Sequence, residues 1–153
     1  MILLACLLIG IVAGLRAMTA PAAVSLGAYL GWLPVGGSWA EFMGYRFAPW
    51  IFGLLALAEF VTDQLPSTPS RKVPVQFGTR IASGAFCGAV IGTAGGVLIA
   101  GLAAGAIGAV IGTYGGAAAR ARLAAAFDRD RPAAIIEDAA AIVLGLAAVA
   151  VAA

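Results

Sequence analysis

The stretch that decides the fold is residues 51–80, IFGLLALAEFVTDQLPSTPSRKVPVQFGTR. It begins as an apolar helix that carries Glu59 and Asp63, and that helix is expected to end at Pro66. Three prolines punctuate the polar segment that follows, and apolar sequence resumes behind Arg80. Because proline fixes φ and lacks an N–H donor, residues 66–79 are predicted to form an extended, stiff loop.

The composition of the whole chain points to a lipid environment. Its 153 residues are 63% hydrophobic and 10% charged, whereas soluble domains contain about 25% charged residues. Such a chain cannot cover a surface in water, so the sequence predicts an all-α integral membrane helical bundle with the bilayer as its partner. The net charge of +2, without a basic run, excludes nucleic acid as a partner.

Most catalytic and cofactor chemistry is excluded by missing residue types. The chain contains no histidine, and its two cysteines lie inside apolar runs, so we expect no metal site and no cofactor. The hydroxyl-rich segment 67–70 has no histidine to act as its base and no nucleophile-elbow motif. We therefore predict no catalytic residue, and an enzyme is the least favoured class.

The first apolar stretch, residues 2–33, does not fit one straight span. Residues 2–15 would make a helix of about 21 Å, which is shorter than the hydrocarbon core, whereas all 32 residues would make one of about 48 Å. Pro21 favours a kink or break. The stretch is thus either one broken, tilted helix or two short segments with Arg16 at the turn.

The rest of the chain divides into helices and polar connections. Two connections are predicted. One is a loop over 33–46 with interfacial tryptophans, and the other is a charged, interfacial segment over 120–131. Spans are predicted over 47–65, over 133–153, and twice within the uncharged residues 81–119, with a tight turn near Gly95-Gly96. The sequence therefore predicts a single transmembrane domain, residues 1–153, with about five spans and a broken first helix, and six segments as the alternative.

Glycine spacing predicts tight packing between helices. Four glycines recur at every fourth position from Gly84 to Gly96, and others follow up to Gly116. In lipid, small residues at this spacing allow close approach of helix backbones. We expect this packing within the chain or between copies, and a homo-oligomer through residues 84–116 is predicted.

Basic residues predict the orientation. Loops 66–80 and 120–131 each contain several arginines or lysines, and the positive-inside rule places both in the cytoplasm. Two spans separate them, so the two assignments agree. The expected location is the bacterial inner (cytoplasmic) membrane.

An internal duplication is one reading of two similar segments. Residues 14–20, GLRAMTA, and residues 78–84, GTRIASG, share the pattern G-x-R-x-x-[ST]-small. Half-repeats over 1–70 and 78–153 would suit a transporter with its site between the halves. Chance similarity between Gly/Ala-rich helices is the alternative.

Six residues are candidates for a substrate- or ion-binding site. Glu59 and Asp63 share one helix face, although like charges repel and the C-terminal end of a helix disfavours anions. They are expected either to form structural ion pairs with Arg16 or Arg80 or to handle protons or cations. The other four candidates are two arginines and the hydroxyl residue three positions after each of them: Arg16, Thr19, Arg80, Ser83. Each pair is expected either to bind an anion or a lipid phosphate or to have an arginine side chain that extends to the headgroups.

Glu137 and Asp138 are secondary candidates. Both lie near the start of the last apolar helix, where the helix dipole favours carboxylates. Capping, or pairing with nearby arginines, is the expected role.

Several of these motifs resemble one bacterial family of multi-pass membrane proteins, known as domain of unknown function 4126. The resemblance covers nearly the whole chain and is most specific over 57–71, LAEFVTDQLPSTPSR. The other segments that carry it are GLRAMTAP at 14–21, Arg80 with Ser83-Gly84, GTYGG at 112–116, and Glu137-Asp138. It implies a membrane protein and supports the choice of motifs, but it brings no activity.

Two functions remain open at this stage. The favoured one is a small transporter or channel for a solute or ion, with a polar centre of carboxylates and arginines. The alternative is a non-catalytic membrane subunit or assembly factor whose intramembrane charges are structural. The protein partner in that case is not specified by the sequence.

Overall fold

The computed structural model describes residues 1–63 and 73–153, and these form an all-helical bundle without strands. The fold class is therefore confirmed as all-α. Six α-helices and one short 3-10 helix, Glu41–Gly44, occur in the described residues. The α-helices are α1 (Ile2–Leu15), α2 (Thr19–Tyr29), α3 (Ala48–Thr62), α4 (Pro74–Ala94), α5 (Leu98–Phe127) and α6 (Asp130–Ala152).

The first apolar stretch is broken, as expected, and it folds back on itself. Helix α1 ends at Leu15 and α2 begins at Thr19. Val12 and Ala23 both lie within 4 Å of the position that a Cβ atom on Gly145 would occupy, so α1 and α2 run antiparallel along α6. This is the hairpin with Arg16 at its turn that the sequence offered as the alternative.

The break does not lie at Pro21, and that part of the prediction is wrong. Pro21 is the third residue of α2. The N–H groups in the first turn of a helix have no intrahelical acceptor, so proline costs no hydrogen bond there. The chain instead turns at Arg16, which has an extended backbone with φ −143° and ψ 113°.

Helices α1, α4 and α5 pack backbone against backbone through glycines. A Cβ atom on Gly105 would lie 2.1 Å from the carbonyl oxygen of Gly84, and one on Gly10 would lie 2.2 Å from that of Gly105. Helix α1 runs parallel to α5, whereas α4 runs antiparallel to it. No side chain larger than hydrogen fits at these crossings, which explains the glycine spacing in the sequence.

The bundle has two chemically different ends. At the aromatic end lie the Gly95-Gly96 turn and the segment 30–46, where Trp39 donates a hydrogen bond to Thr93 (2.9 Å) and packs on Phe86. At the polar end lie the α1–α2 turn, the end of α3, the start of α4 and the α5–α6 connection. Helices α1, α3 and α5 run toward the polar end, and α2, α4 and α6 run away from it.

Two predicted boundaries are wrong because helices extend further than expected. Residues 74–79 belong to α4, which begins at Pro74 with proline in the first turn. Residues 120–127 continue α5 rather than forming a separate segment, and the helix ends where Asp128 adopts the left-handed conformation (φ 52°). The predicted turn at Gly95-Gly96 is confirmed. The other half of the predicted proline loop, 66–72, lies outside the described residues.

Helix lengths bear on the membrane prediction in part. Helices α5 and α6 are long and apolar enough to cross a membrane, and α1 and α3 are shorter apolar helices. The glycines from 84 to 112, except Gly96 in the α4–α5 turn, contact helices of the same chain, whereas Gly96 and Gly115 have open space beside them. The predicted homo-oligomer and the predicted half-repeats stay predictions.

Candidate functional site

Five charged side chains from three helices and the α1–α2 turn meet at the polar end of the bundle. We call them the charge cluster. It consists of Arg16 from the turn, Glu59 and Asp63 from the end of α3, Arg80 from α4 and Asp138 from α6. Five of the eight site residues singled out in the sequence are therefore brought together, and both primary carboxylates have arginine partners.

Arg16 is the centre of the charge cluster and is fully buried. Its Nη1 atom donates a hydrogen bond to Asp63. Its Nε atom donates to Asp138 Oδ1 at 2.6 Å, and Nη2 lies 2.5 Å from the same oxygen. The ring of Phe60 lies 5.7 Å from the guanidinium carbon and covers one of its faces. Arg16 thus joins the α1–α2 turn to α3 and to α6.

Glu59 caps the start of α2. Its two carboxylate oxygens accept hydrogen bonds from the backbone N–H groups of Ala17 and Met18, each at 2.8 Å. Chain breaks leave N–H groups of the following helix without partners, and those groups carry the positive end of the helix dipole. Ala17 and Met18 directly precede Thr19, the first residue of α2, so a carboxylate from α3 satisfies the N–H groups of the turn that leads into this helix.

Arg80 caps the end of α1 from the other side. Its Nη1 atom donates hydrogen bonds to the carbonyl oxygens of Gly14 (3.0 Å) and Leu15 (2.7 Å). Its Nη2 atom lies 3.8 Å from Glu59 and 3.7 Å from Asp63. The guanidinium therefore satisfies the free carbonyls at the negative end of α1 and balances both carboxylates of α3.

Hydroxyl groups complete the hydrogen bonding of the break. Ser83 donates to the carbonyl oxygen of Ala17 at 2.5 Å. Thr113 on α5 donates within its own helix to Ala109 at 2.8 Å and lies 3.4 Å from the carbonyl oxygen of Gly14. Thr19 is buried, and no hydrogen-bond partner for its hydroxyl occurs among the described residues.

A second group of charges extends the cluster toward the α5–α6 connection. Arg120 donates to both oxygens of Asp130 (3.0 and 2.6 Å) and lies 3.5 Å from Glu137. Glu137 and Asp138 are adjacent in sequence yet pair with different arginines. Their expected pairing with arginines is what the structure has, although Asp138 pairs with one that is 122 residues away.

Some of these contacts could not be read from the sequence. The backbone N–H groups of residues 17 and 18 are ligands of Glu59, and only a located helix break reveals them. The sequence does not single out Arg120 or Thr113 as site candidates: Arg120 lies in the segment 120–131 that is predicted to be interfacial, and Thr113 lies within a glycine-rich motif. In the described residues, no three His, Cys, Asp or Glu side chains are grouped as ligands for a metal ion.

The arrangement suits mechanical connection of helices. The guanidiniums of Arg16 and Arg80 each bind carboxylates or carbonyls of the protein, so neither of these two arginines is available to an external anion in this structure.

No family model matches the sequence, and no match was found among curated proteins or among solved structures. The resemblance to the family named above therefore stays a prediction.

Proposed function

We propose that this chain is an integral membrane protein of the bacterial inner membrane. Large apolar side chains are exposed all around the bundle, whereas Arg16 and Arg80 are buried inside it. Large apolar side chains on the surface together with arginines buried in the interior suit a lipid solvent. The two long apolar helices, α5 and α6, support the proposal; α1 packs against both of them, and α3 packs on α2.

The depth of the charge cluster follows from helix length. Helix α1 has 14 residues, so its break lies about 21 Å from the aromatic end of the bundle. With that end at one face of a hydrocarbon core of about 30 Å, the charge cluster lies about 9 Å inside the other face. The arginines of the α5–α6 connection lie at that other face, which the positive-inside rule assigns to the cytoplasm.

For its role, we propose a non-catalytic membrane subunit or assembly factor whose charge cluster locks the helices together. The observation that carries this proposal is the double capping of the α1–α2 break, by Glu59 on one side and by Arg80 on the other. An unsatisfied backbone group in hydrocarbon costs several kcal/mol. Capping by side chains from α3 and α4 lets the chain turn inside the membrane.

Transport of a proton or cation is the second candidate, and one observation favours it. Among the described members of the charge cluster, three carboxylates face two guanidiniums. A buried excess of negative charge attracts a cation or a proton. A broken helix close to such charges is also typical of transporter sites.

The test compares Glu59→Gln with Glu41→Gln, a matched substitution in the 3-10 helix at the aromatic end. In phospholipid nanodiscs, we expect Glu59→Gln to lower the free energy of unfolding by about 2 kcal/mol, because one amide oxygen cannot replace a carboxylate on two N–H groups. Glu41→Gln should change it by less than about 1 kcal/mol, since that side chain accepts one exposed bond.

Proton or cation uptake into vesicles is measured on the same two variants. The lock proposal expects no uptake above that of empty vesicles. If the wild type supports uptake, and Glu59→Gln abolishes uptake without changing the stability, the structural role of the charge cluster would be rejected in favour of transport.

A further inference from the structure

A long apolar groove runs beside the charge cluster and has no role in it. Helix α2 forms its floor, and α3 and α6 form its walls. Its volume is about 560 Å³, which lies within the range of about 300–1,000 Å³ typical of ligand sites. Ile142 and Leu146 of α6 line one wall, and the only polar groups among the lining residues belong to Thr19, Tyr29 and Trp50.

The groove extends between the two ends of the bundle. Tyr29 and Trp50 line it at the aromatic end, and Thr19 and Phe60 line it next to Arg16. Thr19 and Tyr29 lie ten residues apart on α2, and Trp50 and Phe60 lie ten residues apart on α3, so the groove is about 15 Å long. It thus runs roughly parallel to the axis along which lipid chains would lie.

The lining of the groove indicates the kind of occupant. Its side chains are apolar except for those of Thr19, Tyr29 and Trp50, so a polar ligand would find few partners there. A single hydrocarbon chain is thin and flexible enough to follow the walls and to recover their dispersion contacts.

A positive charge lies close to the aromatic-end mouth of the groove in sequence, because Arg46 comes three residues before Pro49 of its lining. Arg46 is exposed, and its guanidinium lies 5.8 Å from the ring centroid of Phe47, directly before α3. In the part of the chain that the structure describes, it is the one arginine at the aromatic end. The positive end of the α3 dipole lies at the same place, so this mouth favours an anionic group such as a lipid phosphate.

We propose that the groove binds one acyl chain of a phospholipid whose phosphate lies at Arg46. The inference rests on the proposed location of the protein in a membrane. Glycine at position 53 gives the chain access, because the space where its Cβ would lie has no atom within 4 Å. The bound lipid would fill the space between α3 and α6 and would fix α3 against the bundle.

The experiment fills the groove and leaves the rest of the fold unchanged. Delipidated protein in a mild detergent is titrated with phosphatidylglycerol or with phosphatidylcholine, and bound lipid is counted by native mass spectrometry. Gly53→Leu places a side chain in the groove. Gly115→Leu, on α5, is the matched control, since a Cβ there also meets open space.

Gly53→Leu should weaken phospholipid binding about fifteenfold, because the leucine would displace about two methylenes of the lipid and each one lowers the affinity by a factor of about four. Gly115→Leu should bind as the wild type does. Arg46→Gln should lower the preference for phosphatidylglycerol over phosphatidylcholine, whereas Arg122→Gln, at the polar end, should not. Inorganic phosphate alone should not compete with the lipid.

Three results would overturn the proposal. They are unchanged lipid binding in Gly53→Leu, displacement of the lipid by inorganic phosphate, and a wild-type dimer that becomes monomeric in Gly53→Leu, which would make a second copy the occupant. The Glu59→Gln comparison is independent of all three. Normal lipid binding by Gly53→Leu together with a destabilised Glu59→Gln would reject lipid binding in the groove and support the structural role of the charge cluster.

Discussion

The α1–α4–α5 interface and the α1–α2 turn share a helix, yet opposite kinds of contact hold them. At the interface, glycines of three helices bring backbones into contact with no side chain between them. At the turn, long charged side chains reach across the break and bind its free backbone groups. The first kind of contact sets how closely the helices pack, and the second sets where along its length each helix must end.

The difference explains why both devices are needed in lipid. Close glycine contacts can form in more than one register, because neighbouring turns offer similar surfaces. Directional ion pairs can form in only one arrangement. The charge cluster therefore selects one register among those that the glycine-packed helices allow, and the following substitutions separate the two contributions.

Removing the central cation should have the largest effect. Arg16→Met leaves Asp63 and Asp138 buried without their shared partner, so we expect a loss of about 3–5 kcal/mol in the free energy of unfolding. Thermal or denaturant unfolding in nanodiscs measures it, and Arg122→Met on the exposed part of α5 is the control. Equal stability of the two variants would show that the cluster does not hold the bundle together.

Disturbing the glycine interface should have the next largest effect. Gly105→Val would place carbon atoms against the Gly84 carbonyl oxygen, because even a Cβ atom on residue 105 would lie only 2.1 Å from it. Separating α4 from α5 should cost about 3 kcal/mol. Gly115→Val, which meets open space, should cost less than about 1 kcal/mol, and a similar loss in both would assign the effect to helix propensity alone.

Two adjacent carboxylates provide a finer comparison. Asp138→Asn removes a charged acceptor 2.6 Å from Arg16 and should cost about 2 kcal/mol. Glu137→Gln changes a longer contact, 3.5 Å from Arg120, which an amide oxygen can still accept, and it should cost less than Asp138→Asn does. The unfolding midpoints of the two variants would rank them, and the opposite order would place the main lock at Arg120.

The smallest expected effect concerns a single hydroxyl. Ser83→Ala removes the donor to the Ala17 carbonyl oxygen in the break and should cost about 1 kcal/mol. Ser25→Ala is the control, because that hydroxyl bonds only to Ala22 in its own helix. The same unfolding measurement applies, and no difference between the two would show that the break tolerates an unsatisfied carbonyl.

Part of this architecture could be predicted from the sequence because it depends on local composition. The glycine spacing, the uncharged run around Gly95-Gly96 and the isolated charges of α3 each indicate their structural role without knowledge of the fold. The position of the break could not be predicted in this way. Pro21 is the strongest local signal for it, but the chain turns at Arg16, where partners from α3, α4 and α6 satisfy the ends of both helices.

The extent of α5 was hidden for a similar reason. A charged run such as residues 120–131 usually marks a solvated segment, but a helix continues through charge whenever its backbone bonds stay intact. Here the left-handed conformation at Asp128, not the first arginine, ends the helix. The sequence singled out the members of the charge cluster, whereas their pairing depends on contacts between distant segments.

The separation between Arg16 and Asp138 has a consequence for the order of assembly. Their contact joins residues that are 122 positions apart, close to the full length of the chain. Asp138 is synthesised long after the first hairpin has left the ribosome, so Arg16 must wait for the last helix. Long-range contacts of this kind form late and slow the final step of folding. The α1–α2 hairpin is therefore made before α6 and is closed only when α6 is in place.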